Sequence, residues 1–191
     1  MKPEYIKPGE IEKRSFALIA QELGDRQLDP EQEPVIKRVI HTTADFDYAD
    51  TLHFAAHAVG RMQRAIREGA CIVTDTQMAK AGINKKELAR YGGEALCFIG
   101  DEDVAKEAAE RGITRTAVSM EKAAGLSGEL IFAVGNAPTA LMRLYELMEA
   151  GAIRPAGIIG VPVGFVNVVE AKEQILQADC PMIVARGRKG G

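Results

Sequence analysis

Aromatic residues are scarce in this sequence, and tryptophan is absent. Phe, Trp and Tyr together make up 5% of the 191 residues. That composition weakens any function that depends on stacking against nucleobases or sugars. Excess positive charge is missing too, since the formal net charge is -3. A nucleic-acid-binding domain is more often basic, with its Lys and Arg gathered into a stripe, so this class of function is disfavoured.

Cysteine is rare and widely spaced. Cys71, Cys97 and Cys180 form no CxxC pair, so the spacing supports neither a zinc site nor a redox motif. Each lies in or beside an apolar run, where a free cysteine behaves as a small hydrophobic residue. We expect these three thiols to belong to the core.

Long apolar segments are also missing. The N-terminal stretch "MKPEYIKPGEIEKRS" lacks the apolar region of a signal peptide. No window reaches the roughly 20 apolar residues that a membrane helix needs. The sequence therefore predicts a cytoplasmic protein that does not enter a membrane.

Short apolar runs alternate with longer amphipathic stretches along most of the chain. The runs cover residues 71–75, 95–100, 129–135, 156–163 and 181–185, and 51–55 is a weaker candidate strand. Nearly continuous apolar runs are typical of parallel strands that are covered on both faces. We predict one α/β domain over residues 1–191, with a mostly parallel sheet flanked by helices.

Two helical segments are predicted before the first strand, and they form an N-terminal helical region. The first runs from about Gly9 to Leu23. The second opens with Asp29 as its cap and Pro30 in its first turn. Its apolar positions predict four buried side chains: Val35, Ile36, Val39 and Ile40.

Three small polar loops follow predicted strands, at residues 74–78, 134–139 and 160–167. Ligands of open α/β sheets collect at the carboxyl ends of the strands, and helix N-termini expose N–H groups that suit anionic oxygens. In the second loop we expect Asn136 to be the N-cap of a helix. None of the loops is a P-loop or fits GxGxxG. Ordinary turns would explain each loop alone, whereas three at one edge favour a binding site.

His41 lies in the stretch "RVIHTTADFDY" and is predicted to occupy the last turn of its helix. There the exposed carbonyl dipoles favour the imidazolium form, as would Asp45 or Asp47 if either folds back. Such a histidine can lend a proton to a substrate and take it back. The residues fit equally well a histidine that only complements the helix dipole.

Other candidate residues leave alternatives open. His53 and His57 are four apart but lack a third metal ligand, so structural roles are expected. Arg115 fits either a bidentate clamp for a carboxylate or an ordinary surface arginine. The basic tail at residues 186–191 follows the last strand and is expected to be mobile unless something binds it.

Six segments together resemble a known family. They are "EIEKRSF" (10–16), "VIHTTADFDYADTLHF" (39–54), "IVTDTQMAKAGI" (72–83), "LIFAVGNAPTAL" (130–141), "GVPVGFVNVVEAKE" (160–173) and "RGRKGG" (186–191). In this combination the sequence resembles the precorrin-8X methylmutases, which are called cobalt-precorrin-8 methylmutases in the anaerobic branch of cobalamin synthesis.

The resemblance implies an isomerase that moves a methyl group from C-11 to C-12 of precorrin-8X or cobalt-precorrin-8, giving hydrogenobyrinate or cobyrinate. The reaction is drawn as a [1,5] sigmatropic shift that needs no protein-bound metal or organic cofactor. The catalytic histidine of the family falls on His41, which would protonate the macrocycle near ring C. The family also implies a homodimer with the pocket near the subunit interface.

The resemblance and the chemistry of a substrate with many carboxylates together imply the binding residues. These are Arg14, Ser15, Thr42, Arg115, Asn136 and Arg186, with Thr43, Gly135 and Gly164 as close contacts and Val161, Pro162 and Phe165 as apolar walls. The alternative function is a corrinoid carrier that binds the intermediate without converting it. A nucleotide-using enzyme is disfavoured, because the phosphate-binding motifs are missing.

Overall fold

The computed structural model describes residue 5, residues 7–55 and residues 57–191. The chain divides into two compact units, Met1–Leu52 and His53–Gly191. The assignment of residues 1–191 to one domain stays a prediction. The predicted fold class is confirmed, because the structure is α/β and four strand pairs of its sheet run parallel.

In its described residues the first unit contains three helices: α1 Pro8–Leu23, α2 Glu33–Thr43 and α3 Tyr48–Thr51. The predicted start of α2 was wrong. Asp29 accepts the N–H of Glu31 on its side chain and the N–H of Gln32 on its carbonyl, so it stabilises a turn before the helix. Gln32 occupies the N-cap position instead.

The apolar face of α2 is narrower than predicted. Ile36 and Ile40 are buried, with relative exposures of 3% and 1%. Val35 and Val39 are only half-buried. Ile36 and Ile40 are four residues apart and share one line of the helix surface, whereas the two valines lie beside that line.

Six strands form one sheet in the described part of the chain, in the order β1-β6-β5-β4-β2-β3. They are β1 Leu52–Phe54, β2 Cys71–Thr74, β3 Ala95–Leu96, β4 Leu130–Val134, β5 Gly157–Gly160 and β6 Met182–Ala185. All six predicted strands are present. The third is much shorter than the run 95–100, since Asp101 N–H bonds back to Phe98 O and turns the chain away from the sheet edge.

Seven further helices lie between or after these strands in the described residues. They are α4 Ala58–Arg67, α5 Gln77–Gly82, α6 Lys85–Ala89, α7 Glu102–Arg111, α8 Arg115–Ala124, α9 Pro138–Glu149 and α10 Val168–Ile175. The short helices α5 and α6 were not predicted, because neither is long enough to show an apolar stripe. Side-chain caps mark them: Thr76 accepts the N–H of Ala79, and Asn84 accepts the N–H of Glu87.

The core is built around the central strand β4. Phe132 of this strand has a relative exposure of 0%, as do Leu141 and Leu144 of α9. Burial of β4 on both faces explains why its sequence is a continuous apolar run rather than an alternating one. The three cysteines are free thiols; Cys97 and Cys180 are buried as predicted, while Cys71 is half-buried. Burial raises the pKa of the Cys180 thiol to about 12.

A fully buried carboxylate, Asp75, connects the end of β2 to the start of α9. Its Oδ1 accepts the N–H of Gly135 at 3.0 Å, and its Oδ2 accepts those of Asn136 at 2.8 Å and Ala137 at 2.7 Å. Ala137 is the N-cap residue of α9, so the prediction that Asn136 caps this helix was wrong. Asp75 instead supplies the acceptor for the N–H groups that lead into α9.

The C-terminal tail is hydrogen-bonded to the rest of the protein, so the condition under which the sequence predicted mobility, a tail that nothing binds, is not met. Gly191 N–H donates to Val161 O at 2.8 Å, and Gly164 N–H donates to Arg188 O at 3.2 Å. Lys172 of α10 lies beneath the tail with a relative exposure of 0%. Burial lowers the pKa of Lys172 to about 8.

Replacing Asp75 by Asn is expected to destabilise the protein by about 3 kcal/mol, because the amide group turns an N–H donor towards a backbone N–H that needs an acceptor. Urea unfolding of wild type and variant measures this loss. Asp50→Asn is the matched control. It removes only an exposed ion pair with Arg26 and should cost less than about 1 kcal/mol. If the free energy of unfolding falls by the same amount in both variants, the central role of Asp75 is contradicted.

The stability contributed by Lys172 should increase with pH. Its pKa is lowered in the folded protein from 10.5 to about 8. Between these two values the unfolded chain binds more protons than the folded one, so the free energy of unfolding rises with pH. Wild type and Lys172→Met are compared by urea unfolding from about pH 7.5 to about pH 9.5. The difference, wild type minus variant, should grow across this window, and a constant difference would refute the lowered pKa.

Candidate functional site

His41 lies in the last turn of α2, as predicted, and its ring is held by stacking. The ring centroids of Phe16 and His41 are 5.1 Å apart, and the ring planes differ by 11°. Phe16 belongs to α1, so the contact depends on the packing of these two helices. A stacked neighbour covers a face of the imidazole and leaves both ring nitrogens at the uncovered edge. The geometry thus fixes the ring plane without occupying the groups that exchange protons.

Opposite charges surround this stacked pair. The Arg38 guanidinium lies 4.7 Å from the Phe16 ring centroid, and it donates to Glu12 Oε1 at 2.5 Å. This hydrogen bond holds the pKa of Glu12 below its usual value, and the charge of His41 acts in the same direction. Glu12 is therefore a carboxylate that interacts with His41, and the sequence reasoning had considered only Asp45 and Asp47.

A cavity of about 270 Å³ opens beside His41 within the first unit. Its lining residues come from α1, α2 and the turn after α2: Ser15, Leu18, Ile19, Glu22, Ile40, His41, Ala44 and Phe46. Of the predicted site residues, it brings together Ser15 and His41. The Ser15 hydroxyl donates to Ile11 O at 2.9 Å, which leaves its oxygen lone pairs facing away from the helix backbone.

The other predicted residues of this unit lie on the same two helices. Arg14 is exposed on α1, and Thr42 and Thr43 are exposed at the end of α2. The hydroxyls of Thr42 and Thr43 donate to the carbonyls four residues earlier, at 2.9 Å and 2.8 Å. Thr42 therefore presents its hydroxyl oxygen as an acceptor near the C-terminus of the helix, whereas the hydroxyl oxygen of Thr43 already accepts the N–H of Asp45 at 3.3 Å.

A larger cavity, of about 490 Å³, lies at the carboxyl edge of the sheet in the second unit. Its lining residues are Thr76, Met78, Ala79, Gly135, Asn136, Val163 and Gly191. All three loops predicted from the sequence contribute, so their meeting at one edge is confirmed. The loop at residues 160–167 contributes Val163 to the lining, whereas the sequence had indicated Val161, Pro162 and Phe165 as apolar walls.

Three of the backbone N–H groups in the cavity lining already have acceptors within the protein. Those of Gly135 and Asn136 donate to Asp75, and that of Ala79 donates to Thr76 Oγ1 at 3.1 Å. An anionic ligand here would not receive hydrogen bonds from these three groups, so side chains become more important for binding it. The exposed side chain of Asn136 is one such group, since its backbone is fixed by Asp75.

Arg115 is the first residue of α8 and is exposed. Three hydroxyls hold the start of α8 beside the start of α9: Thr116 lies 3.0 Å from Thr114 and 2.9 Å from Thr139. Because α9 starts directly after β4, these contacts bring Arg115 to the carboxyl edge of the sheet. The role of Arg115 as a bidentate clamp for a carboxylate stays a prediction.

Arg186 and Gly164 also lie at this edge, and each has a protein partner. Arg186 donates to both carboxylate oxygens of Glu173, at 2.9 Å and 2.6 Å, and this pairing lowers the pKa of Glu173. Gly164 has a φ of 146°, a backbone conformation that side chains rarely allow. A ligand carboxylate at Arg186 would have to compete with Glu173.

In the described residues, no group of three or more His, Cys, Asp or Glu side chains is arranged to hold a metal ion. Nor does the described part of the chain contain a helix with the length and apolar character to cross a membrane.

Four residues that shape these sites were not predicted from the sequence. Phe16 and Glu12 lie one turn apart on α1 and had been read only as part of a helical pattern. Asp75 is an acidic residue directly after an apolar strand, which is a detectable signal for a buried carboxylate. Lys172 lies between Val168 and Ile175 at helical spacing, so a lysine in an apolar stripe could have been noticed.

Comparisons with known proteins agree with this architecture. The family model of precorrin-8X methylmutase matches residues 10–191. A cobalt-precorrin-8 methylmutase from Priestia megaterium is 42% identical over 190 residues, covering 100% of this chain and 84% of the relative. Another from Salmonella typhimurium is 44% identical over 194 residues, covering 98% of this chain and 90% of the relative.

A solved structure shares the fold. The precorrin-8X methylmutase from Thermus thermophilus superposes with a TM-score of 0.86 at 39% identity, covering 95% of this chain and 89% of that one. The family match, the full-length relatives and the shared fold show that this chain belongs to the precorrin-8X methylmutase family, whose members are isomerases of cobalamin biosynthesis.

Proposed function

We propose that this chain moves a methyl group from C-11 to C-12 of precorrin-8X or cobalt-precorrin-8, with His41 as the acid catalyst. The observation that carries the proposal is the setting of His41. Its ring is stacked on Phe16 and lines a cavity, so an edge nitrogen can face a bound molecule. General acid catalysis requires this combination of fixed orientation and access.

In the proposed mechanism the protonated His41 donates a proton to the macrocycle near ring C. Protonation makes the conjugated system more electron-poor and weakens the bond between C-11 and its methyl group. That bond breaks as the methyl group bonds to C-12 in a [1,5] shift, while the double bonds rearrange. The proton then returns to the histidine as the new tautomer forms, so the reaction consumes no proton and is an isomerisation.

The side chains proposed for binding suit a substrate with many carboxylates. Arginine binds a carboxylate through two parallel N–H groups, and hydroxyl and amide groups add neutral hydrogen bonds. The proposed set is Arg14, Ser15, Thr42, Thr43, Arg115, Gly135, Asn136, Gly164 and Arg186. Gly135 and Gly164 would allow close approach of the macrocycle, since neither carries a side chain.

The proposal includes a cytoplasmic homodimer whose pocket lies near the subunit interface. Exposed apolar side chains in the loop at residues 160–167 support it. Phe165 and Val166 have relative exposures of 83% and 76%, and Val163 of the same loop lines the larger cavity. Adjacent exposed apolar residues are a common feature of surfaces that bind a protein or a ligand.

His41→Ala should abolish conversion while the protein still binds the pigment. The reason is that the substitution removes the proton donor but leaves the carboxylate-binding side chains in place. Loss of general acid catalysis predicts a fall in kcat of about 10²- to 10⁴-fold. Conversion is followed by ultraviolet–visible spectroscopy and by chromatography, which separates substrate and product although the two isomers have the same mass. Binding is followed by absorbance titration.

His57→Asn serves as the control for removal of a histidine. His57 has a φ of 57°, a conformation that asparagine tolerates well, so this variant should keep normal turnover. If His41→Ala still isomerises the substrate at nearly the wild-type rate, the acid role is wrong. If the wild-type protein binds the pigment but never converts it, the protein is a carrier instead.

Arg115→Lys should weaken substrate binding more than it slows the chemistry. Lysine keeps the positive charge but loses the planar pair of donors. We expect KM to rise by about tenfold with kcat little changed, the pattern of a lost uniform binding contact. Steady-state kinetics measures both constants. An unchanged KM would show that Arg115 is a surface arginine.

A further inference from the structure

Lys172 is buried in an apolar stripe of α10 without a carboxylate partner. It shares its helix face with Val168 and Ile175, and all three are buried. No carboxylate of the described residues lies within ion-pair distance of it. Its Nζ donates instead to two backbone carbonyls of the tail, Gly187 O at 2.9 Å and Lys189 O at 2.8 Å.

Burying this ammonium is costly, and packing alone does not explain it. Lysine is almost never fully buried unless it is paired, because removing its charge from water carries a large desolvation penalty. An apolar side chain of similar length would fill the same stripe without that penalty. What an apolar residue would lack is the ability to donate to two carbonyls at once. What Lys172 adds beyond packing is therefore the pair of hydrogen bonds that fixes the tail.

The tail that Lys172 holds is packed closely against the loop at residues 160–167. A side chain at Gly190 would place its Cβ 2.1 Å from Val161 O, so the two backbones approach as closely as glycine allows. Gly191 N–H donates to Val161 O, and Gly164 N–H donates to Arg188 O. Tail and loop therefore form one continuous piece of structure.

This piece of structure forms part of the larger cavity. Val163 from the loop and Gly191 from the tail line the cavity together with Gly135 and Asn136. Gly135 and Gly191 lie close to each other, since a Cβ on Gly135 would be 3.8 Å from Gly191 C. Displacing the tail would remove part of the cavity wall next to two of the proposed substrate-binding residues.

We propose that Lys172 is a positioning residue for the substrate cavity: its ammonium group fixes the carbonyls of Gly187 and Lys189, so that the tail and Val163 form the wall beside Gly135 and Asn136. Lys172 acts through the tail and does not itself touch the substrate. This role rests on the proposed function, in which the cavity takes a carboxylate-rich tetrapyrrole.

The test uses Lys172→Met in the 191-residue protein, with Lys106→Met as the matched control. Lys106 is exposed on α7 and makes only a surface ion pair with Glu110. Lys172→Met should raise the KM for cobalt-precorrin-8 by about tenfold with kcat changed less than about threefold, because a wall that binds the substrate is lost but His41 is untouched. Lys106→Met should match wild type in both constants.

Trypsin reports the state of the tail independently of activity. The tail contains three cleavage sites, at Arg186, Arg188 and Lys189. Mass spectrometry of the native proteins should show faster loss of the tail in Lys172→Met than in wild type or Lys106→Met. If the tail of Lys172→Met stays as protected as in wild type, the proposed hold on the tail is wrong.

Gly190→Ala is a second variant for the case in which Lys172→Met does not fold. It displaces the tail by a clash with Val161 O and leaves Lys172 in place. It should show the same rise in KM and the same exposure to trypsin. A released tail with an unchanged KM in either variant overturns the positioning role. A wild-type protein that does not convert cobalt-precorrin-8 overturns the proposed function instead, so the two failures are distinguishable.

Discussion

The carboxylate of Asp75 is the constraint on which the larger cavity depends. It is fully buried and accepts three consecutive backbone N–H groups. A buried carboxylate with these partners is satisfied only when the loop between β4 and α9 takes this one shape. The loop thereby starts α9 and directs the side chain of Asn136 towards the cavity. One acidic side chain thus links strand pairing, helix initiation and the form of a binding surface.

Lys172 has a similar structural role with the opposite charge, since it fixes the C-terminal tail as Asp75 fixes the loop between β4 and α9. Both buried groups bind backbone atoms of a distant segment rather than an oppositely charged side chain. Backbone partners fix a segment's path, whereas a side-chain partner can move with its own rotamer. The cavity is therefore built from main chain held in place by buried charge. Gly135 and Gly191 of its lining carry no side chains and so leave room for a ligand.

The setting of His41 follows a different principle. Stacking on Phe16 orients the imidazole, and the Arg38–Glu12 ion pair sets the charges nearby. None of these contacts needs a ring nitrogen as a partner. A residue that must donate and recover a proton benefits from this arrangement, because it can be rigid while its nitrogens remain available.

The sequence by itself determined the strands, most of the helices, the meeting of three loops at one sheet edge and the place of His41 at a helix end. These features depend on local periodicity and on the direction of parallel strands, which neighbouring residues encode. Only the tertiary structure decided that Asp75 occupies the N–H groups of the β4–α9 loop, that Lys172 anchors the tail and that Glu12 lies near His41. The physical reason is that each of these contacts joins residues far apart in sequence: Asp75 and Ala137, for example, are separated by 62 positions. No local pattern specifies which buried charge will meet which distant backbone.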